Sequence, residues 1–188
     1  MDAPAHVPDP NAEAERLRRA RRGDGAAFEA LYHDHARAVH ALAFRLTGNA
    51  AEAEDIVQET FLRMFGFLSG LRENTPLRPW LKRVAANLAI DRLRRQQRPG
   101  TDLDLALAAL ADTASASPAD AADADTLLRR LPPLARTVVW LHEMEGWSHE
   151  DLGRRFGRTA SWSKSLMSRS LARLRQDLDP HGDAPHDA

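Results

Sequence analysis

Cysteine is missing altogether from the 188 residues. That removes disulfides and thiolate-held metals from consideration, and it fits a reducing compartment. No apolar run approaches the roughly 20 residues that a membrane span needs. The opening stretch MDAPAHVPDP lacks both the basic start and the apolar core of a secretion signal. The expectation is a soluble, cytoplasmic chain with no direct membrane insertion. Strand-type alternation is absent, and no internal repeat joins one half to the other.

The usual marks of catalysis are missing too. The chain has no glycine-rich phosphate loop and no Gly-x-Ser-x-Gly elbow. His142 and Glu143 begin like a zinc-protease helix, but Gly146 stands where the second histidine would be. His33 and His35 are two residues apart and point away from each other on a helix, so they do not share an ion easily. The eight histidines read as surface or boundary residues. Acids near Gln58 suggest a carboxylate metal site, yet no Glu-x-x-His pair stands on a neighbouring helix, as di-iron bundles require. No enzyme, no cofactor and no metal are expected.

Charge is what the chain has, and it is segregated behind a formal net charge of −1. Between Arg154 and Arg175 there are seven cations and no acid; between Pro99 and Asp125 there are six aspartates and no Lys or Arg. Local patches therefore say more about partners than the whole-chain balance does.

Periodicity organises the chain into helices. Residues 1–11, with three prolines, read as a disordered lead, followed by a basic helix from Ala12 to Arg22 that stops at Gly23. Asp24 is placed to cap a second helix whose apolar positions run from Phe28 to Leu46. Asn49 with Glu52 resembles a capping box and opens a third helix. Its predicted buried stripe comprises Ala53, Ile56, Val57, Thr60, Phe61, Met64, Phe65 and Leu68, leaving Glu52, Asp55, Glu59 and Arg63 outside. Ser69 to Arg78 reads as a loop.

The next helix, PWLKRVAANLAIDRLRR from Pro79 to Arg95, has Leu81, Val84, Ala85 and Leu88 on one face and Lys82, Arg83, Arg92, Arg94 and Arg95 around the rest. With Trp80 and Asn87 it is a credible surface for nucleic acid. The first module thus covers residues 12–98, and residues 99–124 read as an acidic linker.

A second module covers residues 125–178, with a polar tail at 179–188. One helix runs to Leu131, and another from Leu134 to Glu145 has Leu134, Val138 and Leu141, with Met144 as a further candidate, on its buried face. Ser148 with Asp151 caps a short helix ending at Phe156-Gly157, and Thr159 caps a last one with Met167, Leu171, Leu174 and Leu178 facing inward. Helix, glycine-containing turn, cationic helix is helix-turn-helix patterning. Ser161, Trp162, Lys164, Ser165 and Arg169 are the groove-facing candidates.

Taken in order, AEDIVQETFLR, the loop, PWLKRVAANLAIDRLRR, the acidic linker and LPPLARTVVWLHEMEGWSHEDLGRRFGRTASWSKSLMSRSLARLR resemble the extracytoplasmic-function (ECF) sigma factors over about residues 24–178. The resemblance implies an all-α fold: a sigma region-two bundle and a C-terminal helix-turn-helix (region-four) domain on a flexible acidic linker. It implies a bacterial RNA polymerase specificity subunit that recognises and melts promoters. By resemblance, Asp55, Gln58, Glu59 and Arg63 dock on the largest-subunit clamp of core RNA polymerase. Ser69, Asn74, Trp80, Lys82, Arg83, Asn87 and Arg92 capture unstacked bases of the minus-ten promoter DNA, as a melting element with an aromatic and cations would. Arg158, Ser161, Trp162, Lys164, Ser165 and Arg169 read the minus-thirty-five element. The linker resembles the segment threaded toward the RNA exit path, and an anti-sigma factor is a further implied partner.

Two departures stand out. Where the family has Gly-Thr-Val-Lys-Ser-Arg, this chain reads Ser161-Trp162-Ser163-Lys164-Ser165-Leu166, and Leu171 stands where another Arg is common. On that reading Leu166 removes a phosphate or base contact and Ser163 replaces a packing residue. The alternative reading is a stand-alone helix-turn-helix regulator, which has no need of the Ser69–Arg95 region. From another class, an α-helical metallohydrolase would use the His and Glu residues of the first module.

Overall fold

The computed structural model describes residues 10–71, 75–96 and 124–178, and among these every regular element is helical. The expected lead up to residue 9, most of the linker (97–123) and the tail lie outside the described residues. The chain divides into two compact units, one of residues 1–44 and 49–89, the other of 45–48 and 90–188. Helices α2 and α4 each contribute to both.

In the first unit, α1 spans Pro10–Arg21, α2 Gly25–Thr47, α3 Ala50–Phe67 and α4 Leu77–Gln96, with a single 3-10 turn, η1, at Leu68–Gly70. α1 therefore starts earlier than its composition suggested. Pro10 supplies the reason, since its fixed φ and missing N–H suit the first helical position. α1 buries Leu17 and Ala20.

Asp24 caps α2, accepting from the Ala27 N–H at 3.1 Å. That bond, with the Arg19 guanidinium beside it, holds the Asp24 carboxyl below the usual carboxylate range. Asn49 caps α3 as its spacing predicted, its side chain accepting from the Glu52 N–H at 3.2 Å. Rings link α2 to α3: Phe28 meets Phe65 edge-on at 5.5 Å, and Tyr32 lies 4.7 Å from Phe61.

α4 is less one-sided than its sequence suggested. Leu77, Leu81, Ala85, Ala86, Leu88, Ala89, Ile90 and Leu93 are all buried, whereas Val84 is only half-buried. Buried positions thus run over more than half the circumference of α4. It also begins two residues earlier than expected, so Leu77 and Arg78 belong to the helix and not to the loop.

In the second unit, α5 spans Ala124–Arg129, α6 Pro133–Glu143, α7 His149–Phe156 and α8 Ala160–Leu178. α8 packs on both α6 and α7. The turns are made as local chemistry predicts. Ser148 accepts from the Asp151 N–H at 3.0 Å and caps α7. Gly157 ends α7 at φ 68, the left-handed conformation favoured after a helix. Thr159 then accepts from the Trp162 N–H at 3.1 Å to start α8.

Three expectations fail here. Met144 is 62% exposed, because α6 ends at Glu143 and the chain turns through Gly146 at φ 69, carrying Met144 off the buried face. Trp147 is buried in its stead, its N–H donating to the Leu141 carbonyl at 2.9 Å. Leu166, expected on the DNA side, is 0% exposed. With Ser163, Met167 and Ser170 it forms the inward face of α8, while Leu171 and Leu174 are only half-buried; the side chain of Leu178 lies outside the described ones.

Candidate nucleic-acid interface

On α8, Ser161, Trp162, Lys164, Ser165 and Arg169 line one open surface together with Thr159. The inward run Ser163, Leu166, Met167 and Ser170 leaves Ser161, Lys164, Ser165 and Arg169 exposed on the rest of the helix, with Trp162 half-buried at its flank. Trp162 is braced against Phe156 at 5.4 Å, and the Arg169 Nε–H donates to the Ser165 carbonyl at 3.3 Å. Arg158 precedes this surface and is exposed in the turn, its backbone N–H donating to the Gly153 carbonyl at 2.7 Å. Lys164 and Arg169 thus stand beside hydroxyls and an aromatic on a helix whose first turn is open, which suits phosphate positioning and base-edge contact together.

Beneath that surface lies a pair sequence reasoning missed. His149 Nδ1 is 3.1 Å from the hydroxyl of buried Ser163, and His142 Nδ1 is 2.7 Å from the Trp147 carbonyl. The two imidazoles stack at 4.1 Å. Burial, then the neighbouring His142 and Lys164, push the His149 pKa down from 6.5, with Glu143 opposing.

On α4, Trp80, Arg83 and Asn87 follow one another at steps of three and four and share one stripe. Lys82 and Arg92 lie off that stripe, so the structure does not gather all of the expected minus-ten residues on one face. Trp80 stacks on Phe67 at 6.3 Å with only 4° between the rings. Phe67, at the end of α3, is the residue reasoning from sequence overlooked on this side. Ser69 is exposed in η1, and Asn74 lies outside the described residues.

On α3, Asp55, Gln58 and Arg63 are exposed and Glu59 half-buried, with Arg63 paired to Glu59 at 2.7 Å. This outer face is not purely acidic. Leu62 is 70% and Phe65 64% exposed, contrary to the placing of Phe65 in the buried stripe. At 100° per residue Phe65 lies roughly 100° round from the centre of that stripe, far enough to leave the core. Gln58 also lines a groove with Tyr32, Arg37, His40 and Glu54, between α2 and α3.

Among the described residues the histidine expectation fails at one position. His35 is 1% exposed, enclosed between α2 and α1 with its Nε2 2.9 Å from a Glu13 carboxylate oxygen. Burial drives its pKa down, although Glu13 and Asp34 oppose that.

Comparisons agree with this architecture. A family model for Sigma-70 region 2 matches residues 31–99, and one for Sigma-70, region 4 matches residues 122–174. The RNA polymerase sigma factor CarQ of Myxococcus xanthus is 35% identical over 170 residues, covering 86% of this chain and 95% of that one. The ECF RNA polymerase sigma factor SigE of Mycolicibacterium smegmatis is 33% identical over 85% of this chain, which spans 65% of that relative's length. Among solved structures, that of CnrH in complex with the cytosolic domain of CnrY aligns with a TM-score of 0.51 and 25% identity, over 91% of this chain and 99% of that one. With both sigma regions matched in order and the identity sustained across most of its length, the chain belongs to the ECF sigma factors of RNA polymerase.

Proposed function

We infer that this chain acts as a promoter-specificity subunit: it binds core RNA polymerase, recognises two promoter elements and helps hold the minus-ten strand open, with no catalysis of its own. The observation that carries the reading is the pairing, in one chain, of the Trp80–Arg83–Asn87 stripe with the Lys164–Arg169 surface. A stand-alone regulator needs only the second. Residues 12–98 and 125–178 are the two functional modules, and the aspartate-rich segment between them is the linker.

The roles follow from chemistry. Asp55, Gln58, Glu59 and Arg63, on an outer face of α3 that also exposes Leu62 and Phe65, form the polymerase-docking surface; exposed apolar groups rimmed by charge suit a protein partner. Ser69, Asn74, Trp80, Lys82, Arg83, Asn87 and Arg92 serve the minus-ten strand, where stacking and cations hold single-stranded bases. Arg158, Ser161, Trp162, Lys164, Ser165 and Arg169 serve the minus-thirty-five duplex. An anti-sigma protein is the further partner, supported by the likeness to CnrH, which was solved with the cytosolic domain of CnrY. The work is done in the bacterial cytoplasm, and no helix among the described residues is long and apolar enough to cross a membrane.

Run-off transcription with core polymerase tests this. The combined change of Asp55, Gln58 and Glu59 to alanine abolishes core binding and transcription while leaving the helical circular dichroism intact. Undiminished core affinity in that variant overturns the docking assignment; no transcription from the unaltered chain with core overturns the function.

A further inference from the structure

The residue before α4 cannot cap it. Pro76 precedes it and has no side-chain acceptor, and Pro79 has no N–H to offer. The Trp80 N–H already donates to the Pro76 carbonyl at 3.4 Å. Of the first-turn donors, the N–H groups of Leu77 and Arg78 are left to satisfy. The Leu77 N–H donates at 3.3 Å to Oε1 of Glu13, a residue 64 positions earlier, on α1. The other carboxylate oxygen of Glu13 is the one 2.9 Å from Nε2 of buried His35. A negative carboxylate at this end of α4 is also favoured by the helix dipole.

The same helix grips the other side of the connection. Its last residue, Arg21, donates from Nη2 to the Ser69 carbonyl in η1 at 3.4 Å. Between these two contacts α1 is anchored by buried Leu17 and Ala20 and by the Arg16–Asp34 ion pair. So one helix of 12 residues touches both η1 and the start of α4. It lies wholly outside residues 31–99, the stretch matched by the region 2 family model.

We propose that α1 is a positioning element for promoter opening: Glu13 caps α4 from outside, and Arg21 fixes η1, so that Trp80 one turn into α4 is presented at a set place and angle. The inference rests on the promoter-opening function proposed above. Glu13 and Arg21 touch no DNA themselves. They act through the backbone that carries the residues that do.

The test uses the full-length chain with core polymerase on a promoter taken from its own mapped transcripts. Permanganate reactivity of unpaired thymines reads opening, and core affinity is measured alongside. Glu13→Ala lowers the open fraction by about three- to tenfold, the span expected when a helix loses its cap. Glu13→Gln keeps an acceptor oxygen for the Leu77 N–H and restores most of the opening. Arg21→Ala, at an exposed position where a change costs little stability, lowers opening by a smaller factor. Core affinity stays unchanged in all three.

Unaltered opening in Glu13→Ala and Arg21→Ala overturns the inference, as does a loss of opening in Arg21→Ala that only parallels a loss of core affinity. If Glu13→Ala fails to fold, Arg21→Ala decides by the same readout: lowered opening at unchanged core affinity supports the inference, and unaltered opening overturns it. A wild-type chain that binds core yet opens no promoter overturns the functional reading itself, and this inference with it.

Discussion

Replacing Leu166 by arginine separates two accounts of the C-terminal helix. If Leu166 were a missing DNA contact, Leu166→Arg would restore it, tightening duplex binding and steepening the salt dependence by about one unit. The structure places that side chain at 0% exposure on the face of α8 that packs on α6 and α7. Burying a leucine contributes about 1.5–3 kcal/mol, and truncating one in a core costs about 2–5 kcal/mol once the cavity is included. Arginine forfeits the same burial and adds the desolvation of a guanidinium, so a loss of at least about 3 kcal/mol is expected. That is a large share of the stability of about 5–15 kcal/mol ordinary for a domain.

Urea unfolding followed by tryptophan fluorescence reads the effect, since Trp140, Trp147 and Trp162 all lie in α6–α8 or the turn between α6 and α7. Lys164→Ala is the contrast. Its side chain is exposed, so stability moves by no more than about 0.5 kcal/mol. The slope of log K against log salt falls by about 0.9 on loss of one phosphate contact. A Leu166→Arg chain with an unshifted midpoint and tighter DNA binding would refute the burial argument and reinstate the reading from sequence.

The turn between α7 and α8 gives a second prediction. A Cβ on Gly153 would lie 2.6 Å from the Thr159 carbonyl group and 2.9 Å from the Ala160 nitrogen, all backbone atoms that cannot swing aside. Gly153→Ala therefore destabilises by about 1–3 kcal/mol in urea titration, its gain in helix preference notwithstanding. Gly66→Ala in α3 meets nothing within 4 Å and is expected to raise stability by about 0.5–1 kcal/mol; equal effects at the two sites would disprove the clash. The third prediction concerns pH. Because His149 is held below 6.5 in the folded chain, the unfolded chain takes up the proton first as pH falls, and stability is lost from about 6.5 downward through the folded value. His149→Gln removes that part of the loss below about pH 6.5, and an unaltered pH profile in thermal melts would exclude the mechanism.

What could be read without coordinates was whatever a few neighbouring residues decide among themselves. Asp24, Asn49, Ser148 and Thr159 were each legible as caps because the donor lies three residues away on the same chain. The order of helices was legible for the same reason. Sidedness was harder, because it depends on what covers a helix from elsewhere. Phe65 and Met144 have the spacing of core residues, but one sits at the flank of its stripe and the other beyond the end of its helix. His35 reads as a polar surface residue until α1 lies over it and brings Glu13. Leu166 departs from a family pattern, but the neighbours that enclose it decide its role. At the site, the cations and aromatics of α4 and α8 were identifiable by type, but not that Lys82 and Arg92 leave the Trp80 stripe, nor that Phe67 stacks beside it.

The way α1 is seated bears on how fragments of this chain should be cut. A truncation drawn at residue 31, where similarity to the family model begins, would strip the lid from His35 and leave Leu77 without its acceptor. Such a piece would be expected to melt earlier than the intact bundle and to misreport single-strand affinity, however well it expressed. Any excised version meant to stand in for the whole should begin no later than Pro10.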